Sequence, residues 1–465
     1  MDVTQPVILE NRPFSELKIG DSASLSKTFT MEDIALFSLV SGDVNPAHLD
    51  REFAATDLFH HIIAQGILTA GLISAVLGTK LPGPGTIYLG QELKFLAPVS
   101  PGDTITATVT VKELIPEKHR AVLDCHCLNQ NGKEVLSGTA LVQAPTEKVR
   151  RPAMPLPEVR LLRHEFLRNL LAKAMAGQPL PAAIAYPCDD ISLLAATEAA
   201  ARRLIAPILV GPAALIRSTA AEHKLDISGM RIEEAATSAE AARRAVALAR
   251  EGTAKILMKG ALHTDELLHE VLRPEAGLRT SLRLSQVYVM DVPSYPKPLL
   301  ITDAAVNIAP DLPEKAAILQ NAIGLAHVLG IETPRAAVVA AVETVNPAMR
   351  ATMDAAALAK MAERGQITGA IVDGPLGLDN AISPQAAAQK HIKSPVAGQA
   401  DILLVPDLET GNMLAKQLTF LANADAAGIV LGASVPIILT SRADSDRARL
   451  ASAAIAVMLA GPHHG

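Results

Sequence analysis

The stretch TITATVTV at residues 104–111 alternates threonine with an apolar residue, which is typical of a β-strand with one buried face. A strand-like composition extends on both sides of it, from about residue 87 to residue 142. Asn131-Gly132 lies between two further strand-like runs, and this dipeptide is a strong signal for a hairpin turn. We therefore predict an antiparallel sheet in this region.

Two helical stretches precede the predicted sheet. The first covers Met31–Val40, with Thr30 as its N-cap, and the second, more apolar one covers Gly66–Leu77. An antiparallel sheet needs a second layer to bury its apolar face, and the long apolar helix can supply it. The N-terminal part of the chain is therefore predicted to be an α+β domain.

The segment EKVRRPAMPLPE at residues 147–158 separates two parts of different composition. It carries three prolines and a charge cluster without a regular apolar period, so we interpret it as a linker. The predicted division is an N-terminal domain at 1–146, the linker at 147–158 and a C-terminal domain at 159–465.

Short apolar runs alternate with alanine-rich helical stretches after the linker. Runs without polar alternation are typical of strands buried on both faces of a mostly parallel sheet, so we predict an open α/β fold, and the resemblance of this region given below adds the expectation of two lobes. Ligands of such folds bind beyond the carboxyl ends of the strands. We therefore expect the loops after the runs to converge at one edge of the sheet. The runs lie at 182–186, 206–210, 255–258, 298–302, 336–342, 369–372, 401–405 and 435–439.

The composition restricts the classes of function. The 465 residues are 49% hydrophobic, 19% charged and 3% aromatic, with a net charge of −6. Mild acidity and few aromatic rings argue against nucleic-acid and membrane partners. Three cysteines are too few for a disulfide framework, and the first twenty residues lack the features of a signal peptide. We therefore expect a cytoplasmic protein.

The segment SGDVNPAHLD at residues 41–50 carries a candidate acid–base pair, Asp43 and His48. Pro46 disfavours helix at Asn45, so this segment should be a loop that is able to bring both side chains together. Carboxyl and imidazole groups suit proton transfer near neutral pH. The spacing alone favours the alternative, in which Asp43 caps a turn and His48 is an ordinary surface residue.

The N-terminal 15–145 region resembles the (R)-specific enoyl-CoA hydratases of the MaoC-like group. The resemblance rests on four segments in the family's order: residues 41–50, FAA (53–55), IAQGIL (63–68) and PGPGTIYLGQ (82–91). It implies a hotdog fold, in which a curved antiparallel sheet surrounds one long helix.

This resemblance also implies roles for individual residues. Asp43 and His48 would activate a water that adds to C3 of a trans-2-enoyl-CoA, with Asn45 orienting them. The backbone N–H of Gly66 would polarise the thioester carbonyl, and Ser74 matches a polar position near the site. Many relatives carry histidine before the glycine, where this chain has Gln65.

The loops after the apolar runs of the C-terminal region are rich in small polar and charged residues. A single Asp or Gly in such a place is usually a turn residue or a helix cap. A fixed charge followed by free N–H groups at a helix start, as at Arg442 and Ser445, suits an anion. The candidate substrate-binding residues here are Lys259, Thr264, Arg283, Asp303, Asp379, Asn380 and Asp444.

From about residue 165 onward the sequence resembles the phosphate acetyl/butyryltransferase family, with a leaning toward the butyryl branch. The resemblance rests on segments such as LMKGALHTDELL (257–268), ITDAAVNIAPDL (301–312), VDGPLGLDNAIS (372–383) and LTSRADS (439–445). It implies that Arg442 holds phosphate and that Ser441 lies near the CoA sulfur, both as catalytic residues. The acetyl branch has a catalytic Asp near the position of Ala448, so which carboxylate handles the thiol proton stays open.

No metal site is predicted. Cys125, His126 and Cys127 lie on a predicted strand, where the two thiols and the imidazole point to opposite faces. No cofactor is expected either, since CoA thioesters and phosphate would be substrates.

Both resemblances together imply a bifunctional acyl-CoA enzyme, an enoyl-CoA hydratase (a lyase) joined to a phosphate acyltransferase, and a homo-oligomer. The alternative is a phosphate acyltransferase whose hotdog domain is a non-catalytic acyl-CoA sensor or dimerisation module. The sequence support for this alternative is Gln65.

Overall fold

The computed structural model describes residues 7–157, 159, 161, 164–439 and 444–461. The chain divides into two compact units, Met1–Leu161 and Leu162–Gly465. Each unit has its own hydrophobic core. Within the part of the chain that the structure describes, none of the helices combines the length and apolar character needed to cross a membrane.

The N-terminal unit contains an antiparallel sheet, as the alternating sequence predicts. Ile105, Ala107, Val109 and Val111 are all buried, while the threonines between them point to the other face. The strands of the N-terminal unit are β1 (Ile8–Glu10), β2 (Ser22–Thr28), β3 (Ile87–Phe95), β4 (Thr104–Ile115), β5 (Arg120–Leu128), β6 (Glu134–Gln143) and β7 (Arg150–Pro152). The main sheet has the order β2-β4-β5-β6-β3, with all neighbours antiparallel.

The predicted linker at 147–158 is not irregular throughout. Strand β7 lies within it and pairs antiparallel with β1, with Leu9 opposite Arg151. Asn11 reinforces this pairing, since its carboxamide accepts a hydrogen bond from the Val149 N–H and donates to the Glu147 carbonyl. A three-residue strand has no periodicity to detect, so only its distant partner could reveal it.

Four helices accompany this sheet: α1 (Met31–Ser41), α2 (Pro46–Leu49), α3 (Arg51–Thr56) and α4 (Gly66–Thr79). Thr30 caps α1, as predicted, in a capping box with Asp33. Helix α4 contributes Ile73, Val76 and Leu77 to the core beside the buried residues of β4. The unit is thus the α+β hotdog arrangement that the sequence predicts.

The C-terminal unit is built on one large sheet. Within the described residues its strands are β8 (Leu180–Ala185), β9 (Ile205–Gly211), β10 (Arg231–Glu234), β11 (Ile256–Lys259), β12 (Ser285–Asp291), β13 (Leu299–Thr302), β14 (Arg335–Val339), β15 (Ile371–Leu376), β16 (Ile402–Leu404), β17 (Asp425–Leu431) and β18 (Ile437–Ile438). Their order is β10-β9-β8-β11-β18-β17-β12-β13-β16-β14-β15. All eight predicted apolar runs overlap strands of this sheet.

The strands in the two halves of this sheet run in opposite directions. The expectation that all the loops after the apolar runs converge at one edge of the sheet is therefore wrong. The pairs β18–β17, β17–β12 and β12–β13 are all antiparallel, so strand direction reverses three times between β18 and β13. On either side of these three antiparallel pairs, the neighbouring strands that the structure describes are paired in parallel. The loops after β8, β9, β11 and β18 therefore lie at the edge opposite to the loops after β13, β14, β15 and β16.

Helices cover both faces of this sheet, and alanine, leucine, isoleucine and valine make up most of the core between them. The helices are α5 (Glu165–Met175), α6 (Asp190–Ala201), α7 (Ala213–Glu222), α8 (Ser238–Arg250), α9 (Thr264–Val271), α10 (Leu312–Val328), α11 (Arg350–Glu363), α12 (Leu378–Ile382), α13 (Pro384–Gln389), α14 (Leu408–Leu421) and α15 (Asp446–Ala460). This is the mostly parallel α/β fold predicted from the sequence.

Candidate functional site

Asp43 and His48 lie beside each other, Asp43 in the turn that follows α1 and His48 on the short helix α2. Gly42 ends α1 with a positive φ of 75°, and Asn45 and Pro46 start the short helix α2 that carries His48. Asp43 Oδ2 and His48 Nε2 are 3.8 Å apart. The structure thus brings together the two side chains that the sequence nominated as an acid–base pair.

His48 is held in one orientation. It is 8% exposed, and its Nδ1 lies 2.8 Å from the carbonyl oxygen of Ile63. Because a carbonyl only accepts hydrogen bonds, Nδ1 carries the proton and Nε2 is the nitrogen that faces Asp43. In the neutral ring Nε2 is an acceptor, so Nε2 and the Asp43 carboxylate are two acceptors that one water molecule can bridge.

Asn45 contacts Asp43 through its backbone rather than its side chain. The Asn45 N–H donates to Asp43 Oδ1 at 3.2 Å, while the Asn45 side-chain oxygen accepts from the Ala47 N–H and caps α2. The backbone contact leaves Asp43 Oδ2 directed at His48. The backbone N–H of Asn45 is thus the group that contacts Asp43, and an orienting role of Asn45 in the reaction stays a prediction.

Gly66 is the first residue of α4 and borders a cavity of about 410 Å³. Ile63, whose carbonyl holds His48, also lines the cavity, together with Ile67, Phe95 and Val99. The N–H groups of a first helical turn have no partner in their own helix and suit a developing negative charge. A side chain at position 66 would collide with the Phe95 ring, since a Cβ would lie 2.8 Å from Phe95 Cε1.

Ser74 lies on α4, about two helical turns after Gly66. It is exposed on α4, eight residues after Gly66, or about 12 Å along the helix axis.

In the C-terminal unit, Arg283 and Asp303 meet through Asn307. Asn307 accepts a hydrogen bond from Arg283 Nε at 2.6 Å and donates from Nδ2 to Asp303 Oδ2 at 2.5 Å. Asp303 is 3% exposed and also accepts backbone hydrogen bonds from Gln286, Ala305 and Val306. This network fixes the loop after β13 against the start of β12.

Asp379 and Asn380 form a second cluster with Lys390 and Glu343. Lys390 Nζ lies 3.0 Å from Asp379 Oδ2 and 3.3 Å from Glu343 Oε2. The hydrogen bond from Lys390 holds the pKa of Asp379 below its ordinary value. Asn380 is fully buried, with Nδ2 at 3.5 Å from Glu343. This cluster follows β14 and β15 and lies at the same edge of the sheet as Asp303.

Lys259 and Thr264 lie at the opposite edge, at the end of β11 and the start of α9. The Lys259 ammonium group contacts the carbonyl oxygens of Gly260 and Leu262. Gly260 passes so close to the end of β8 that a Cβ there would lie 2.5 Å from the Ala185 carbonyl oxygen. The tight crossing fixes the backbone that carries Lys259.

Ser441 and Arg442 lie outside the described residues. The next segment starts α15, where Ser445 is the N-cap and its hydroxyl accepts a hydrogen bond from the Ala448 N–H. Burial, and secondarily the nearby Asp444 carboxylate, raises the pKa of Tyr288 to about 12. The Asp444 carboxylate is therefore near enough to Tyr288 of β12 to act on its pKa. Asp446 forms an ion pair with Arg449 at 2.9 Å.

The three cysteines are poor nucleophiles at neutral pH. Burial raises the pKa of Cys188 to about 11, and those of Cys125 and Cys127 to about 12. Across residues 7–157, 164–439 and 444–461, no three His, Cys, Asp or Glu side chains gather as metal ligands.

Three residues that bond to the candidate site residues were not among those predicted from the sequence: Asn307, Glu343 and Lys390. Asn307 lies four residues after Asp303 in the same loop, so this contact is local in sequence and could have been predicted. Glu343 and Lys390 come from different loops, and only the folded chain brings them to Asp379 and Asn380.

Comparisons with known proteins separate the two units in the same way. The model "Phosphate acetyl/butaryl transferase" matches residues 229–457, and the model "MaoC like domain" matches residues 17–123. The phosphate acetyltransferase of Rhizobium meliloti is 58% identical over 292 residues, which is 63% of this chain and 92% of that protein.

Two solved structures are similar to separate parts of the chain. The branched-chain phosphotransacylase of Enterococcus faecalis V583 is 32% identical, with a TM-score of 0.55; the match covers 62% of this chain and all of that one. The unliganded R-hydratase PhaJ1 of Pseudomonas aeruginosa is 42% identical, with a TM-score of 0.32, and the match covers 33% of this chain and 99% of that one.

Proposed function

Because the chain belongs to the phosphate acetyl/butyryltransferase family and carries a MaoC-like domain in its N-terminal unit, we propose that it is a bifunctional acyl-CoA enzyme. The C-terminal unit transfers an acyl group reversibly between CoA and phosphate. The N-terminal unit hydrates trans-2-enoyl-CoA to (R)-3-hydroxyacyl-CoA. We also propose that the protein is a cytoplasmic homo-oligomer. Light scattering would measure the mass of this oligomer.

In the proposed transfer, a phosphate oxygen attacks the thioester carbonyl carbon, the C–S bond breaks and the CoA thiolate takes up a proton. Arg442 holds the phosphate and Ser441 lies near the leaving sulfur. The reaction needs no acyl-enzyme, and the raised pKa of Cys188 argues against a cysteine nucleophile. The protein then contributes positioning and charge, and Asp444 is the carboxylate that we favour for the thiol proton.

In the proposed hydration, Asp43 and His48 Nε2 accept hydrogen bonds from the two O–H groups of one water. The water oxygen adds to C3 of the enoyl thioester, and the developing negative charge moves to the thioester oxygen beside the Gly66 N–H. One member of the pair, for which we favour Asp43, takes one proton from the water and then delivers it to C2. This restores the thioester carbonyl and completes the addition of one water.

The observation that carries the hydratase proposal is the orientation of His48. Its Nδ1 is committed to the Ile63 carbonyl, so Nε2 is the atom that faces the Asp43 carboxylate 3.8 Å away. Ile63, whose carbonyl oxygen contacts His48 Nδ1, also lines the cavity beside Gly66, and the apolar residues of this cavity can accommodate an acyl chain.

Two variants of the full chain test both activities at once. Asp43→Asn should lower the hydration of crotonyl-CoA by about 10²–10⁴-fold and leave CoA release from butyryl-CoA and phosphate unchanged. Arg442→Ala should slow CoA release and raise the phosphate concentration needed for half-saturation, with hydration unchanged. Each variant is thus the control for the other.

A wild-type protein that does not hydrate enoyl-CoAs of any chain length would contradict the hydratase proposal. That outcome would support the non-catalytic hotdog domain instead. Normal phosphate saturation in Arg442→Ala would remove Arg442 from the transferase site.

A further inference from the structure

Gln65 lies immediately before α4 and is 2% exposed, yet its side chain does not cap that helix. It extends to α1 instead. Its Nε2 donates to the Ser38 hydroxyl oxygen at 2.8 Å and to the Ile34 carbonyl oxygen at 3.3 Å. One side chain therefore links the last two turns of α1 to the start of α4.

The two ends of this link carry the two parts of the proposed hydratase site. On α1, the Ser38 carbonyl accepts the Gly42 N–H at 2.9 Å, and the next residue is Asp43. The Asp43 N–H in turn donates to the Ser41 hydroxyl at 3.2 Å. On α4, Gln65 directly precedes Gly66, whose N–H faces the thioester in the proposed reaction.

Packing does not explain the choice of glutamine at this position. Gln65 Oε1 is buried and, among the described residues, accepts no hydrogen bond. A buried acceptor without a donor is unfavourable, whereas a leucine of similar size would fill the space without that loss. The benefit of glutamine must therefore come from the two hydrogen bonds that its Nε2 donates.

We propose that Gln65 is a positioning residue for the hydration, which rests on the hydratase function proposed above. Its two hydrogen bonds to α1 hold the Asp43 loop at a set distance from the Gly66 N–H. The water held by Asp43 and His48 is then aligned with C3 while the thioester oxygen contacts Gly66. Misplacement of reacting groups by about 1 Å is enough to lower a rate about 100-fold.

The test is the steady-state hydration of crotonyl-CoA by full-length Gln65→Leu. We expect kcat to fall about 10- to 100-fold and KM to stay within about threefold, because alignment is lost while the cavity is kept. The melting temperature should change little, since the variant loses two hydrogen bonds but also the unpaired oxygen. The Ser38 hydroxyl stays satisfied, because it can donate to the Ile34 carbonyl four residues earlier.

Asn11→Leu is the matched control. Asn11 is also a buried amide, 1% exposed, that links separate segments, through the Pro84 and Glu147 carbonyls and the Val149 N–H. This variant should lower the melting temperature and leave kcat unchanged. Comparison of the two variants distinguishes the effect of losing a buried structural amide from the effect of losing the alignment of the hydratase site.

Ser38→Ala keeps the inference testable if Gln65→Leu does not fold. It removes the shorter of the two hydrogen bonds and should lower kcat in the same direction by a smaller factor. The double variant should be no slower than Gln65→Leu alone, because both residues act through the same link.

An unchanged kcat in Gln65→Leu, in an active wild-type background, would overturn the positioning role but leave the hydratase function intact. A wild type that is itself inactive would overturn both. Additive losses in the double variant would show that Ser38 and Gln65 act separately, which also contradicts the proposal.

Discussion

Gly66→Ala is the perturbation that most directly tests how the thioester is held. A Cβ at position 66 would lie 2.8 Å from Cε1, 3.0 Å from Cδ1 and 3.1 Å from Cζ of Phe95. Carbon atoms in contact are normally about 3.5–4.0 Å apart. The ring must therefore move by about 0.7–1.2 Å, which changes the wall of the cavity beside the Gly66 N–H.

The expected effect on stability is small. Phe95 is 52% exposed and is free to move outward, so relief of the clash needs no rearrangement of the core. Alanine also favours helix relative to glycine by up to about 1 kcal/mol, less at the first helical position. These two effects oppose each other, and we expect the free energy of unfolding to change by less than about 1 kcal/mol.

The expected effect on hydration is larger. A displacement of about 1 Å between reacting groups lowers rates by up to about 100-fold, so kcat/KM for crotonyl-CoA should fall about 10- to 100-fold. The assay follows the loss of the enoyl absorbance, with CoA release by the transferase measured on the same preparation. That second activity should not change, because its residues lie in the C-terminal unit.

Gly71→Ala on the same helix is the control. No atom lies within 4 Å of a Cβ at that position, so the variant should be stabilised by up to about 1 kcal/mol with hydration unchanged. If Gly66→Ala hydrates as fast as Gly71→Ala, the thioester does not bind beside Gly66 and Phe95, and the proposed oxyanion contact is wrong.

Two further predictions concern charge pairs of the C-terminal unit. Lys315 and Asp354 form a buried pair at 2.8 Å, so Lys315→Met should lower the free energy of unfolding by about 3 kcal/mol in urea titrations. Among the described residues, Asp354 then keeps one ion-pair partner, the partly exposed Arg350 at 3.5 Å. Lys360→Met, which breaks an exposed pair with Glu363, should change it by less than about 1 kcal/mol, and equal losses would contradict the role of burial. Lys390→Gln should raise the pKa of Asp379 toward its ordinary value of 3.8, as measured by NMR titration of the carboxyl carbon. Because the folded pKa is depressed, the wild-type pair stabilises the fold above pH 3.8, and this contribution is lost as the pH falls through the lower folded pKa. An unshifted titration would show that Lys390 does not act on Asp379.

Much of the N-terminal site could be predicted from local sequence. Pro46 predicts a break after α1, and the turn at this break places Asp43 beside His48. The predicted loop is shorter than expected, because Pro46 also starts the helix α2 that carries His48. The partner of His48 Nδ1 could not be predicted, because the Ile63 carbonyl belongs to a separate segment fifteen residues later. The contact between Gln65 and Ser38 is non-local in the same way.

The C-terminal site depended more strongly on long-range contacts. The eight apolar runs were recognisable as strands, but β10, β12 and β17 were not predicted. Strand β10 is a charged, partly exposed edge strand, and β12 and β17 are two of the strands that reverse the direction of the sheet. Because β12 and β17 were not predicted, the loops after the apolar runs were expected at one edge of the sheet. In the structure Lys259 and Asp303 lie at opposite edges of the sheet.

The sequence by itself indicated most of the helices and strands, the presence of two units and the family of each unit, because side-chain periodicity, caps and short motifs are properties of neighbouring residues. The tertiary structure decided strand direction, the partners of Asp303 and Asp379, and which nitrogen of His48 faces Asp43. These features arise from hydrogen bonds between segments that are distant along the chain, and a parallel or antiparallel partner satisfies a buried strand equally well. Local pattern therefore identifies the strands, and only their pairing in the folded chain decides where their ends meet.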